Sequence, residues 1–263
     1  MKAIKRIYLF LIILFLYAPI LILVFSSFNA SKYIGQWTGF TLDWYFQLIK
    51  DREIMNSLYV TLSMAVLAAI VSTIIGTLAA IGINAFSKTP KALALNISYI
   101  PVVNADIVTG VSLMLLYIFT NVPRGYFTML LSHITFCIPY VIFAVLPRLK
   151  MTSSQYYEAA LDLGATPSYA LRKVILPDIF PGIINGALLA FTLSLDDFVV
   201  SFFTTSNVNN LSTTIYAMAR RGINPKINAL STLLFIAVVL LLLLINNRTL
   251  KQEKALRKEI TKE

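Results

Sequence analysis

Long apolar runs separated by short polar interruptions dominate this 263-residue chain. A basic start, Lys2, Lys5 and Arg6, leads into an apolar run over about residues 7–28. Five more follow, over about residues 60–86, 97–119, 126–147, 183–203 and 229–245. Each has at least the ~17 helical residues, at 1.5 Å per residue, with which a helix crosses a bilayer. The first run is longer than the apolar core of a typical secretory signal and has no convincing small-residue cleavage site, so it reads as a retained span. The pattern predicts an all-α, polytopic membrane protein of six transmembrane helices. No internal repeat or low-complexity linker divides it, so residues 1–263 read as a single membrane domain.

The polar interruptions carry the detail. In the first large loop, Thr41 offers a helix cap and Trp44-Tyr45 suits the headgroup level, as an anchor rather than a binding platform. The long polar stretch 156–181 reads as two short helices around a turn. Ser153 or Ser154 would cap the first, and Gly164 suits the position just past its end, where φ is often positive. Thr166 then caps the second, with Pro167 at its first residue. Arg172 and Lys173 fall in its last turns, and Pro177 and Pro181 are expected to break the helix beyond them. Such an elbow is shaped either to be gripped by another protein or to lie on the lipid surface. Surface helices usually carry more Lys and Arg on their polar face, which favours the first reading. The tail after Asn247 reads as a solvated helix in which Lys251, Lys254 and Lys258 alternate with Glu253 and Glu259.

Composition fixes the class: 58% of residues are hydrophobic and 13% charged, and the mean hydropathy is +0.77. A net charge of +10 would suit a nucleic-acid binder, but the cations sit beside the apolar runs rather than in one patch with interleaved aromatics. Nucleic acid is therefore not an expected partner; the lipid bilayer is. Fifteen Lys and Arg residues fall in the termini and in the segments 87–96 and 148–182, against seven in the other three loops. The positive-inside rule then places both termini and the elbow in the cytoplasm. Cys137, the single cysteine, excludes an intrachain disulfide.

Three carboxylates fall within the predicted spans, Asp106, Asp196 and Asp197. An ionised group there must face a bundle interior, a partner or water, and reads as functional by default. Asp106 lies in Pro-Val-Val-Asn-Ala-Asp-Ile-Val-Thr-Gly, with Asn104 beside it, where Pro101 and Gly110 are able to open the backbone as in transporters built on broken helices. Asp196 and Asp197, adjacent on a helix, would point about 100° apart, with Thr192, Ser194 and Ser201 three to four residues away on the same faces. A carboxylate pair with hydroxyl neighbours and no nearby Lys or Arg selects cations and repels oxyanions. The alternative is that the pair meets a cation on a neighbouring subunit and fixes assembly only.

Residue patterns then give a resemblance. Glu158-Ala159-Ala160, Gly164 and Val174-Ile175-Leu176-Pro177, at their spacing, resemble the EAA loop of ATP-binding cassette (ABC) importer permeases, with Val174 the one departure. The segments Trp37–Thr41, Ser132–Cys137 and Phe191–Ser201 are similar to the C-type permease subunit of bacterial spermidine/putrescine importers. The resemblance implies the type I ABC importer permease fold, a cytoplasmic coupling helix, and a place in a bacterial inner or plasma membrane. It implies transport of polyamines by alternating access. It implies as partners a homologous second permease, an ATPase homodimer and an extracytoplasmic polyamine-binding protein. Coupling to the ATPase falls to Glu158, Ala159, Ala160, Leu161, Gly164, Ala165 and Pro177. The substrate pathway falls to Asn104, Asp106, Ser194, Asp196, Asp197 and Ser201.

No cofactor or metal is expected in this chain, because ATP and Mg would be bound by the ATPase. There is no P-loop, no H-E-x-x-H and no G-x-S-x-G, so an enzyme is not expected. One His and one Cys cannot build a metal site of the usual spacing. His133 reads as a hydrogen-bonded helix residue rather than a ligand or proton relay. Gly182 and Gly186 read as a close helix contact. The triplets beginning at Asn29 and Asn210 match a glycosylation sequon that has no expected meaning here. A permease for another cationic or zwitterionic solute and a channel are the rival readings.

Overall fold

The computed structural model describes residues 2–32, 36–152, 154–222, 224–236 and 239. Helices make up almost all of the described residues; the one β feature among them is an isolated antiparallel bridge between Asn29 and Phe40. In order they are α1 (Lys2–Ser27), α2 (Asp43–Lys50), α3 (Arg52–Ala85), α4 (Lys88–Val103), α5 (Asp106–Phe119), α6 (Tyr126–Met151), α7 (Ser154–Asp162), α8 (Pro167–Ala170), α9 (Leu176–Asp196), α10 (Val199–Thr204) and α11 (Leu211–Arg220). A π-helical segment, Leu171–Ile175, joins α8 to α9, and α12 (Pro225–Ile236) follows α11.

Polarity is distributed as in a protein solvated by lipid. The interior is rich in small and hydroxyl residues, among them Ala65, Ala68, Ala80, Ser72, Thr77, Ser132 and Ala190. Large apolar side chains such as Ile70, Ile74, Leu78, Leu115 and Phe119 point outward. Lipid tails are as apolar as leucine, so helices associate through close packing of small residues and interhelical hydrogen bonds. Four described stretches are long and apolar enough to cross a membrane: Lys5–Ser27, Arg52–Ala85, Tyr126–Met151 and Pro167–Asp196. The pair α4 and α5 adds a fifth if it is one broken span. The predicted span 229–245 begins within α12. Apart from residue 239, its remainder lies outside the described residues, as does the tail after Asn247.

Contacts divide the chain into two compact units. One holds the described residues up to Met55 and from Ile215 onward; the other is Asn56–Thr214. In the first, Asn29 organises the loop after α1. Its Nδ2 donates to the Gln36 carbonyl (2.7 Å), its Oδ1 accepts from the Ser31 and Thr38 N–H groups (3.2 Å each), and its carbonyl accepts from Trp44 Nε1 (2.8 Å). Trp44 is therefore only 7% exposed and is not the interfacial anchor predicted from its sequence neighbourhood. The indole N–H has its acceptor inside the chain, so nothing holds the ring at a wet surface. Thr41 Oγ1 accepts from the Asp43 N–H, close to the capping role expected of it.

In the second unit α6 is the central helix, packed along α9 and against α4, α5 and α10. Glycines set the approach. A Cβ added at Gly76 on α3 would lie 2.7 Å from Val141 Cβ on α6, and one at Gly186 on α9 would lie 3.1 Å from Val141 Cγ1. Gly182 lies likewise against Arg148 and Ala144, so the predicted contact at Gly182 and Gly186 is present.

Two predicted helices prove discontinuous. The stretch 97–119 is split at Asn104-Ala105, where ψ values of 146° and 137° leave the helical region, and α4 and α5 meet at 104°. The stretch 183–203 is split at Asp197 (φ −62°, ψ 123°), so α9 ends at Asp196 and α10 starts at Val199. The prolines of the elbow depart from expectation in the opposite sense. Pro177 and Pro181 lie inside one helical stretch, Pro167–Asp196, and Arg172 and Lys173 sit within it rather than near an end. Just before Pro177 the ladder widens: the Leu176 N–H donates to the Leu171 carbonyl, five residues back. That wider turn relieves the clash a proline ring makes with the carbonyl one turn earlier.

Candidate functional site

The break after Asp196 is closed by a buried polar cluster drawn from three helices and a loop. His133 on α6, fully buried, meets Ser194 Oγ on α9 through Nδ1 (2.7 Å) and Ser201 Oγ on α10 through Nε2 (2.9 Å). The Asp197 carboxylate, 8% exposed, lies 3.3 Å from His133 Nε2. It accepts the N–H of Val200 (3.1 Å) and both the N–H and Oγ–H of Ser201 (2.8 Å each). Asn210, just before α11, donates from Nδ2 to the Asp197 carbonyl (3.0 Å) and to Ser201 Oγ (2.8 Å). Its own orientation is set by the Thr213 N–H, which donates to Oδ1 (2.9 Å).

Asp197 thus acts as a cap. An aspartate before a helix start accepts the first orphan N–H groups, and here it does so at the opening of α10. The local sequence carries that signal, Asp197 followed by Phe198-Val199-Val200-Ser201, but inside an apolar run it reads as continuing helix. The expected seam of Asp196, Asp197, Ser194 and Ser201 on one helix is accordingly not found. Ser194, Asp197 and Ser201 are gathered around His133 and are buried or nearly so, whereas Asp196 is turned outward and exposed. His133 is hydrogen-bonded, as expected. Asn210, noted only as part of a sequon, is a member of the cluster, and its distance in sequence hides that role.

The α4–α5 break presents a second polar face. Asn104 closes α4 with its N–H on the Ile100 carbonyl (3.0 Å), and Asp106 opens α5; both are exposed. One turn further on, a Cβ at Gly110 would lie 3.4 Å from the Val199 carbonyl and 3.1 Å from Phe203, so α5 is held close against α10. The two breaks are therefore adjacent, and each ends in an exposed carboxylate.

At the other end of α9 is the elbow. Gly164 (φ +87°) makes the turn after α7, a left-handed conformation that side-chain-bearing residues rarely adopt. Thr166 Oγ1 accepts from the Tyr169 N–H, the predicted cap of the second helix. The predicted cap at Ser153 lies outside the described residues, as does the side chain of Ser154. Helix α7 packs on α8 and on the π-helical segment, and Thr152 Oγ1 hydrogen-bonds the Asp178 carboxylate. Glu158, Ala159, Gly164 and Pro177 are exposed, and Ala160, Leu161 and Ala165 are half-buried. Ala160, Leu163, Gly164, Ala165, Thr166 and Tyr169 line a shallow open depression. Leu163, which the sequence did not single out, is 89% exposed, an isolated leucine offered from a polar turn.

The described residues, almost all helical and with four or five apolar spans, have the fold of a type I ABC importer permease, a transport subunit rather than an enzyme. The chain belongs to the family described as binding-protein-dependent transport system inner membrane component, whose model matches residues 72–249. It is 37% identical over 241 residues to the spermidine/putrescine transport system permease protein PotC of Escherichia coli K12, covering 91% of this chain and 90% of that one. To the putrescine transport system permease protein PotI of the same organism it is 41% identical over 233 residues, covering 85% and 83%. Among solved structures, a bacterial ABC transporter involved in import of the acidic polysaccharide alginate matches with TM-score 0.74 at 14% identity, over 94% of this chain and 95% of that one. An inward-facing MetNI methionine transporter matches with TM-score 0.62 at 18% identity, over 79% and 96%. At such identities these two likenesses bear on the fold alone.

Proposed function

We propose that this chain is one permease subunit of an ATP-driven importer of polyamines, working by alternating access. The observation that carries the reading is the pair of neighbouring helix breaks, each presenting an exposed carboxylate, in a chain similar over most of its length to spermidine/putrescine and putrescine permeases. Asp106 and Asp196, with Asn104 beside the first, stabilise the desolvated ammonium groups of the passing cation. Asp197, Ser194 and Ser201 serve the pathway from behind, since their polar atoms are already engaged within the chain. No Lys or Arg pairs with Asp196 or Asp106 among the described residues, so both are available to a cation.

The elbow is the coupling element. Its exposed face, with Leu163 and the depression around Gly164, docks into a separate ATPase homodimer that binds the ATP and Mg. Both termini and the elbow face the cytoplasm, and an extracytoplasmic binding protein delivers the polyamine to this permease and a homologous second permease. The chain resides in a bacterial inner or plasma membrane.

The test is uptake of labelled putrescine and spermidine by the complete complex in liposomes, driven by loaded binding protein and ATP. Asp196→Asn and Asp106→Asn each remove a charge-assisted contact of about 1.5–3 kcal/mol and should lower uptake at least about tenfold with the complex still assembled. Normal uptake by both variants, or ATP-driven uptake of neutral or anionic solutes in place of polyamines, overturns the reading.

A further inference from the structure

Counting hydrogens fixes the direction of every bond around Ser201. Its hydroxyl has one proton and three polar side-chain neighbours: the Asp197 carboxylate, Asn210 Nδ2 and His133 Nε2. Asn210 Nδ2 can only donate, because Oδ1 is held by the Thr213 N–H, so the amide is not reversed. An ionised carboxylate can only accept, so Ser201 donates to Asp197. Ser201 Oγ is then left as an acceptor towards the imidazole, and His133 Nε2 must carry a hydrogen. That N–H points at both Ser201 Oγ (2.9 Å) and Asp197 Oδ2 (3.3 Å). On the other side of the ring Nδ1 and Ser194 Oγ are hydrogen-bonded at 2.7 Å.

The imidazole therefore ties the last turn of α9 to the first turn of α10 across the break, from a third helix. Asp196 is the last residue of α9 and the only one of the two adjacent acids left exposed. We propose that His133 is a positioning residue: its Nε2–H clasps Asp197 and Ser201, which keeps α9 from running on through Asp197 and holds Asp196 turned towards the substrate cation. The proposal rests on the reading of Asp196 given above. Without the clasp the buried carboxylate loses a donor, and the break is free to shift: continuing α9 through Asp197 would redirect the chain into α10 and change what surrounds Asp196 at the helix tip.

The test compares two amides at position 133 in the reconstituted complex. Glutamine places an N–H near the place of Nε2, whereas asparagine is too short to reach Ser201 and can replace only the contact at Nδ1. His133→Gln should keep the polyamine moved per ATP hydrolysed within about twofold of the parent, while His133→Asn should lower it at least about tenfold. ATP hydrolysis and assembly should stay near the parent level in both, a split that mere loss of folding would not give. A second measurement tracks thiol modification of Asp196→Cys, read against the buried native Cys137. Its rate should change several-fold with His133→Asn and not with His133→Gln. Equal coupling ratios in the two amide variants, or an unchanged modification rate, overturns the clasp. If Asp196→Asn transports normally, the substrate reading fails instead; if Asp196→Asn fails to transport while His133→Asn does not, only the clasp is wrong.

Discussion

Single residues here do opposite things with the same chemistry. Asp196 and Asp197 are identical neighbours, yet one is exposed and the other has its charge taken up by two backbone N–H groups, a hydroxyl and an imidazole. Asp51 gives a third case. It pairs with Lys226 Nζ at 2.9 Å, and that hydrogen bond holds its carboxyl below the usual range against the opposing effect of burial. A lowered carboxylate value means that the pair stabilises the fold above the ordinary carboxyl range and ceases to do so as pH falls through the folded-state value. Asp51→Asn should therefore lower the unfolding temperature of the solubilised protein at neutral pH, by the equivalent of about 0.2–1 kcal/mol. The difference between variant and parent should shrink as pH falls towards 3, below the ordinary value of 3.8. A difference that grows on acidification would refute the assignment.

At the level of elements, glycines separate packing from mere helix content. Gly76→Ala would set a Cβ 2.7 Å from Val141 Cβ and force α3 away from α6, an overpacking that costs roughly 1–3 kcal/mol. Gly82→Ala, on the same helix with nothing within 4 Å of the added carbon, should instead stabilise by roughly 0.5–1 kcal/mol. Opposite shifts in thermal unfolding of the two variants would confirm the contact. The sequence displayed the helices because lipid-facing runs are long and uniform. It also displayed the elbow, because Gly164 and Thr166-Pro167 are strong local signals. It did not display where helices stop within apolar runs. Asp197 caps α10 through bonds three and four residues ahead, and its supports, His133 and Asn210, come from elsewhere in the chain. Pro177 looked like a terminator and is absorbed by one widened turn. Trp44 looked like an anchor because aromatics beside apolar runs usually are, and only the partner at Asn29 reveals otherwise.

For the whole molecule, sidedness is the property that the function most needs. Under the positive-inside rule, the charge asymmetry between alternate loops predicts the elbow with both termini in the cytoplasm and the Asn29 loop on the far side. Cysteines placed at Leu163 and at Lys32 should then react with an impermeant thiol reagent from opposite faces, the first only in inverted vesicles and the second only in intact cells. The native Cys137 is buried and should stay silent. Labelling of both positions from one side would end the coupling scheme while leaving the family assignment untouched.

The uninterrupted stretch from Pro167 to Asp196 carries a mechanical corollary. Thirty residues of helix span about 45 Å, and the same rod begins at the handle and ends at the exposed acid. On the proposed coupling to a separate ATPase, torque applied at the near end would reach the far tip along one helical backbone. That helix would then act as a single shaft, and Leu171–Ile175, where it is wound more loosely, is where its stiffness would be tuned.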